Sequence, residues 1–209
     1  MNMAKLREAE ARFLLQYPGG FSHPDIQAIS RKHRLEKMHK LAQLCFEVER
    51  FADISGIVAS VGQIVTQSSL VSVFEKMRFR ELIGMLHSRE RVDLSKGLFE
   101  LLYGDQEYGF RVLVDLLDEF KLAKWPLLTV CPVYFRPSVE ALVKPNTAKR
   151  VIAHFELEGL EYTSRPTFVF YRAYRDQINR MKQAMQGEGL PSDNAAFCGF
   201  LLMAIESGE

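Results

Sequence analysis

Four prolines, Pro126, Pro132, Pro137 and Pro145, punctuate the stretch from Lys124 to Arg150 and limit the fold more than any other feature of this chain. Each lacks a backbone N–H and crowds the preceding helical turn, so one continuous helix cannot run through the stretch. The sequence on both sides is helical in pattern, which sets the segment apart as irregular backbone between helices. It also carries Trp125, the only tryptophan, and the cations Lys124, Arg136, Lys144, Lys149 and Arg150. Irregular backbone in a helical protein must be held by specific contacts, and function concentrates in such segments.

The flanking periodicity predicts a helix over 4–16, ended by Tyr17-Pro18-Gly19-Gly20-Phe21, with Pro18 and Gly19 at the central positions of a type II turn. Ser22 is then the expected cap of a helix running to about Phe51, with Cys45 facing the core. Apolar spacing predicts further helices over 70–87, 93–103 and 105–123; 54–66, small and apolar with Gly56 and Gly62, fits either a closely packed helix or a buried strand, with helix favoured. Leu127 to Phe135 is rich in Leu, Val, Tyr and Phe and reads as an extended, strand-like piece that Pro132 confines to an edge or loop. Helices are expected again over 145–155 and 168–185, with 160–166 extended between them. The last helix, capped by Ser192, runs to Ile205. The fold class predicted is mainly α: one domain over 1–209, a compact multi-helix bundle crossed by the proline segment, with room for a minor two-stranded element.

The 209 residues carry a formal charge of only +1, yet the charge is unevenly spread. An acidic helical half, 53–120, carries a net −4, and a basic half, 121–182, a net +6. Three well-separated cysteines, Cys45, Cys131 and Cys198, form no CxxC pair, and an odd number suits a reducing compartment such as the cytoplasm. The N-terminus reads as a charged helix and not as a signal peptide, and no apolar run approaches the ~18 residues of a membrane span. No membrane partner is therefore expected.

Several clusters invite functional readings. Arg31, Lys32, His33, Arg34, Lys37, His39 and Lys40 could face phosphates along one helix, although a solvated helix face has the same composition. Phe168, Tyr171, Tyr174, Ile178 and Met181 recur at helical spacing, and a stripe ending in Ile and Met is a core stripe before it is a stacking platform. Arg172, Arg175 and Arg180 fall on other faces, where they could contact an anion, although surface salt bridges are the commoner role for such residues. Cys131 could act as a nucleophile with His154 as its base and Lys144 nearby, but no local signature accompanies it. Asp115, Asp118 and Glu119 read as a solvated acidic face. No HExxH motif, Cys/His cluster, GxGxxG turn or P-loop is present, so neither a metal nor a cofactor is implied.

Pro18-Gly19-Gly20-Phe21, Leu101-Leu102-Tyr103-Gly104-Asp105, Lys124-Trp125-Pro126 with Thr129, Pro137, Lys144-Pro145, Tyr162 with Pro166, Tyr171, and Asn194-Ala195-Ala196-Phe197 with Gly199-Phe200 together resemble a family of uncharacterised bacterial proteins. The resemblance covers most of the chain. It implies a bacterial cytoplasmic protein and carries over no catalytic, cofactor or binding residue.

The function expected from these residues is non-enzymatic binding of an anionic partner, nucleic acid among the candidates. Lys124, Arg136, Lys144, Lys149, Arg150 and Arg165 would meet phosphates, and Trp125 would stack if exposed. One alternative is an enzyme with a pocket near Cys131 and His154. Another is a helical adaptor or homodimer that uses Phe197 to Ile205 as its interface.

Overall fold

The structure, a computed structural model, describes residues 1–185, 189, 191 and 193–206. It is an all-helical bundle, and no strand occurs among the described residues. Helix α1, Met3–Gln16, begins where the Asn2 side chain accepts the Lys5 N–H, and the type II turn that ends it holds Gly19 at φ 83°. A β-carbon is strained at that φ, so glycine is required there.

The helix expected from Ser22 to Phe51 is instead four pieces: a 3₁₀ turn over Gly20–Ser22, α2 over Pro24–His33, α3 over Leu35–Cys45, and a second 3₁₀ turn over Val48–Ala52. His23, not Ser22, caps α2. Between α2 and α3, Arg34 sits in the left-handed region at φ 53°. The reason for the break is packing. Ile26 and Leu35 are both buried, yet on one straight helix they would point about 180° apart.

Helix α4, Ile54–Gln67, is capped by Asp53, and α5, Val73–Met85, opens with a capping box between Ser72 and Glu75. Helices α6, Ser88–Tyr103, and α7, Gln106–Glu119, pack closely side by side, with Asp105 capping the second. A Cβ on Gly109 would lie 2.4 Å from the Leu101 nitrogen, so only glycine permits this approach.

The strand-like piece expected over 127–135 is α8, Trp125–Phe135. Ten of its eleven residues are buried, so the segment lacks the polar face that would have revealed a helical period, and an apolar run alone does not separate helix from strand. Pro126 sits in the first turn, where its missing N–H costs nothing, and Pro132 falls close enough to the C-terminus that the Arg136 N–H still closes the last turn on it. Helix α8 threads the bundle between α3, α4 and α7.

Helices α9, Pro145–His154, α10, Phe168–Ala184, and α11, Asn194–Glu206, complete the fold. The expected cap Ser192 lies outside the described residues; the Asp193 carboxylate accepts the Ala195 and Ala196 N–H groups. Tyr171, Tyr174, Ile178 and Met181 are fully buried, so the α10 stripe is core, and Phe110 stacks on Tyr171 at 5.3 Å. Phe197, Phe200, Leu201 and Ile205 are likewise buried, and α11 packs on α1, α9 and α10. The apolar face expected to serve as an adaptor or dimer interface is therefore consumed inside the fold. No helix among the described residues is long and apolar enough to cross a membrane.

Candidate functional site, an apolar cleft with Lys144 at its mouth

The structure distributes the basic residues of 124–182 among separate surroundings. Arg165 lies 3.2 Å from Asp118 and 3.8 Å from Asp115, Arg150 pairs with Glu206 at 3.0 Å, and Lys149 sits over the Tyr162 ring at 4.8 Å. Arg136 donates to the Leu102 carbonyl and lies against the rings of Tyr103 and Phe135. Lys124 is exposed at the start of α8. Trp125 is only 1% exposed, and its indole N–H donates to the Thr163 carbonyl at 2.8 Å. That burial removes it as a stacking platform. As the sole tryptophan it reports directly on the core: native emission is expected to be blue-shifted and almost immune to iodide or acrylamide, both properties vanishing on unfolding.

Cys131 is 3% exposed amid Phe79, Leu98, Leu128 and their neighbours, and burial pushes its thiol up to about 12. A nucleophilic cysteine needs the opposite shift, so the expectation of thiolate chemistry there is corrected. His154 stands on α9, its ring against Phe155 at 4.7 Å. No cluster of potential metal ligands occurs among the described residues.

Lys144 differs from the other cations. It lines two adjoining cavities. The first is an apolar cleft of about 290 Å³ between α2, α9 and α11, walled by residues such as Ile26, Leu35, Leu142 and Leu202, with Ala195, Ala196 and Gly199 forming a low floor. A Cβ built on Gly199 meets nothing within 4 Å, so this glycine leaves open space in the cleft. The second cavity is an open polar groove of about 510 Å³ along the first turns of α5, α8 and α9, with Ser69, Ser72, Asn146 and Thr147 on its walls. Leu70, Lys144 and Thr147 line both, which makes the two continuous.

Helix α9 starts without a side-chain cap, and Pro145 occupies its first turn. The N–H groups of Asn146 and Thr147, beyond the reach of intrahelical acceptors, belong to the same groove. Among the described residues no acceptor lies within hydrogen-bonding distance of the Lys144 ammonium. Desolvation therefore lowers its pKa, with Glu75 and Cys198 opposing the shift. Glu75 is occupied by the capping box, its Oε2 accepting from the Ser72 N–H and hydroxyl. A half-buried, unpaired ammonium costs stability, and a fold retains such a group where a ligand supplies the counter-charge.

His33 completes the mouth. Its Nδ1 lies 3.1 Å from the Ser69 hydroxyl, which in turn reaches the His33 carbonyl at 3.1 Å. Burial, then the charges of Lys144 and Lys32, hold this imidazole below its usual 6.5. A histidine whose pKa is lower folded than unfolded contributes fully above about 6.5, and stability is lost as pH falls below that value. His33→Asn is expected to remove part of this acid-side loss, measured as urea midpoints across the mildly acid range.

The sequence missed one polar assembly altogether. Glu140, 2% exposed, accepts the Tyr171 hydroxyl at 2.7 Å, Arg175 at 3.0 Å and Gln106 at 3.2 Å, while Asn194 donates to its carbonyl at 3.1 Å. Arg175, expected on the surface, is thus half-buried against Glu140. This network anchors the middle of the loop from Pro137 to Lys144, which Asn179 and Lys182 also hold at the Val139 and Ser138 carbonyls and Thr129 holds next to Lys144 by accepting the Val143 N–H. Comparison of the chain with protein-family models, with curated proteins and with solved structures yields no match.

Proposed function

We propose that the protein is a non-enzymatic binder of an amphipathic anion, its acidic head held at Lys144 and its apolar tail lying in the cleft between α2, α9 and α11. The observation that carries the reading is the half-buried ammonium of Lys144, unpaired among the described residues, where an apolar cleft meets a polar groove. An anionic head would take the Lys144 charge together with the Asn146 and Thr147 N–H groups, a charge-assisted arrangement that the uncapped start of α9 favours. The cleft volume, near the lower end of the ~300–1,000 Å³ of small-molecule sites, suits a medium-length acyl chain. Against a nucleic-acid partner, Arg150 and Arg165 already face carboxylates and Trp125 is buried. The three unpaired cysteines and the family resemblance support action in the bacterial cytoplasm.

Titration with decanoate and with decanol tests the head and tail separately. Decanoate is expected to bind more tightly, by at least about tenfold, because hydrogen bonds to charged groups contribute roughly 1.5–3 kcal/mol. Gly199→Leu, which places a side chain in the open floor, should abolish binding of both while the helix tolerates the change. Equal affinity for acid and alcohol, or an unimpaired Gly199→Leu variant, would overturn the reading, as would preferential binding of an oligonucleotide.

A further inference from the structure

Helix α5 is apolar on two sides. Phe79 and Leu82 are buried, whereas Val73, Phe74 and Met77, at 73%, 68% and 57% exposure, project from its first turns into solvent. Single exposed apolar residues are ordinary, but three within one helical stretch form an unpartnered ridge. Its place is informative. Ser72 and Glu75, on either side of Val73 and Phe74, line the polar groove that leads past Lys144 into the cleft.

Cations flank the ridge. Lys76 and Arg80 share α5, and Arg78 lies over the Phe74 ring while donating to the Phe120 carbonyl at 3.4 Å. That hydrogen bond brings the turn carrying the exposed Lys121 and Lys124, with the exposed Glu119 beside them, alongside α5. Of the two acids on the helix, Glu75 is engaged in the capping box, while Glu81 is exposed one turn beyond Met77 on the same face, so the cations outnumber the free acids around the ridge without excluding them.

We propose that this face docks on an anionic lipid bilayer, with Val73, Phe74 and Met77 entering the interface and the surrounding cations meeting acidic headgroups. The proposal rests on the amphipathic ligand inferred above, since the groove would then open toward the phase in which such a ligand dissolves. Charge decides between occupants. A two-fold dimer would bring Lys76 and Arg80 of both copies into one interface, a doubled excess of cations that only Glu81 offsets. Three side chains also fall short of the roughly 800 Å² per partner that a stable protein interface buries. A bilayer requires neither self-complementarity nor a large fixed area. Apolar insertion and attraction to acidic headgroups act together at such a surface.

Co-sedimentation with phosphatidylcholine vesicles, with and without phosphatidylglycerol, tests the proposal. The full chain is expected to partition onto the phosphatidylglycerol vesicles and to release as salt rises. The double variant Phe74→Glu, Met77→Glu should lower that partitioning by about tenfold or more, while retaining decanoate binding. Gly199→Leu should lose decanoate and keep the vesicles, so failure of the cleft and failure of the surface give different patterns. The proposal is overturned if the wild type ignores both vesicles or binds them equally, or if the double variant binds as the wild type does. It is also overturned if sedimentation shows a wild-type dimer that the double variant dissolves, or if the variant instead loses an acidic protein partner with vesicle binding absent.

Discussion

Replacing Lys144 with methionine is expected to weaken decanoate binding by about ten- to a hundredfold while making the protein more stable, the loss following from removal of one charge-assisted contact. The two effects have one cause. Lys144 is half-buried, has no acceptor within hydrogen-bonding distance among the described residues, and its partial burial disfavours the charged form. Methionine keeps an unbranched stem in the cleft lined also by Leu142 and Leu70 and removes the charge whose burial is uncompensated without ligand. Exchange of poorly compensated buried charge for apolar volume is neutral to favourable by up to a few kcal/mol; partial exposure of Lys144 screens the effect to roughly 1 kcal/mol. Urea unfolding would show a higher midpoint at unchanged slope. Decanol affinity should stay the same. A variant that loses stability along with binding would mean that Lys144 is structural, and the reading of the cleft would fall with it.

Glu140→Ala is expected to be the most damaging single change outside the apolar core. Removing the carboxylate leaves the Tyr171 hydroxyl, Gln106 and the half-buried Arg175 without their common acceptor. Breaking a buried pair from one side costs about 3–5 kcal/mol, a large share of the ~5–15 kcal/mol that holds a typical protein folded. Glu140→Gln should cost less, because an amide oxygen still accepts from Tyr171 or Arg175. Glu140 ties the middle of the loop over 137–144 to α7, α10 and α11, so the alanine variant should also lower decanoate affinity by loosening the approach to Lys144. Denaturant unfolding of the two variants checks the order. Equal, small effects would show that Glu140 is not what fixes the loop.

The contrast between these two sites shows how far the sequence could be read. Lys144 was recognisable as a candidate because it adjoins Pro145 in a basic, proline-marked segment. Its distinction from Lys149, Arg150 and Arg165 was not, because pairing depends on which acids the fold brings near, and Asp118 and Glu206 are distant in sequence. Glu140 carried no signal at all. A lone glutamate in a loop looks solvated until Gln106, Tyr171 and Arg175 converge on it from two helices.

The same division holds for the fold. Wherever one face is apolar and the other polar, local periodicity determined the element, as in α7 and the α10 stripe of Tyr171, Tyr174, Ile178 and Met181; the caps Asp53 and Asp105 and the Gly19 turn likewise act within a few residues of themselves. Where burial is complete, no local pattern remains. Helix α8 reads as a strand because every side of it is covered, and the break at Arg34 exists only because Ile26 and Leu35 must reach one core. The sequence by itself determined a helical bundle and pointed to Lys124–Arg150 as its unusual segment. The tertiary structure alone decided that Trp125 is core, that Cys131 is inert and that Lys144 faces a cleft, since burial and charge pairing are properties of neighbours far apart along the chain.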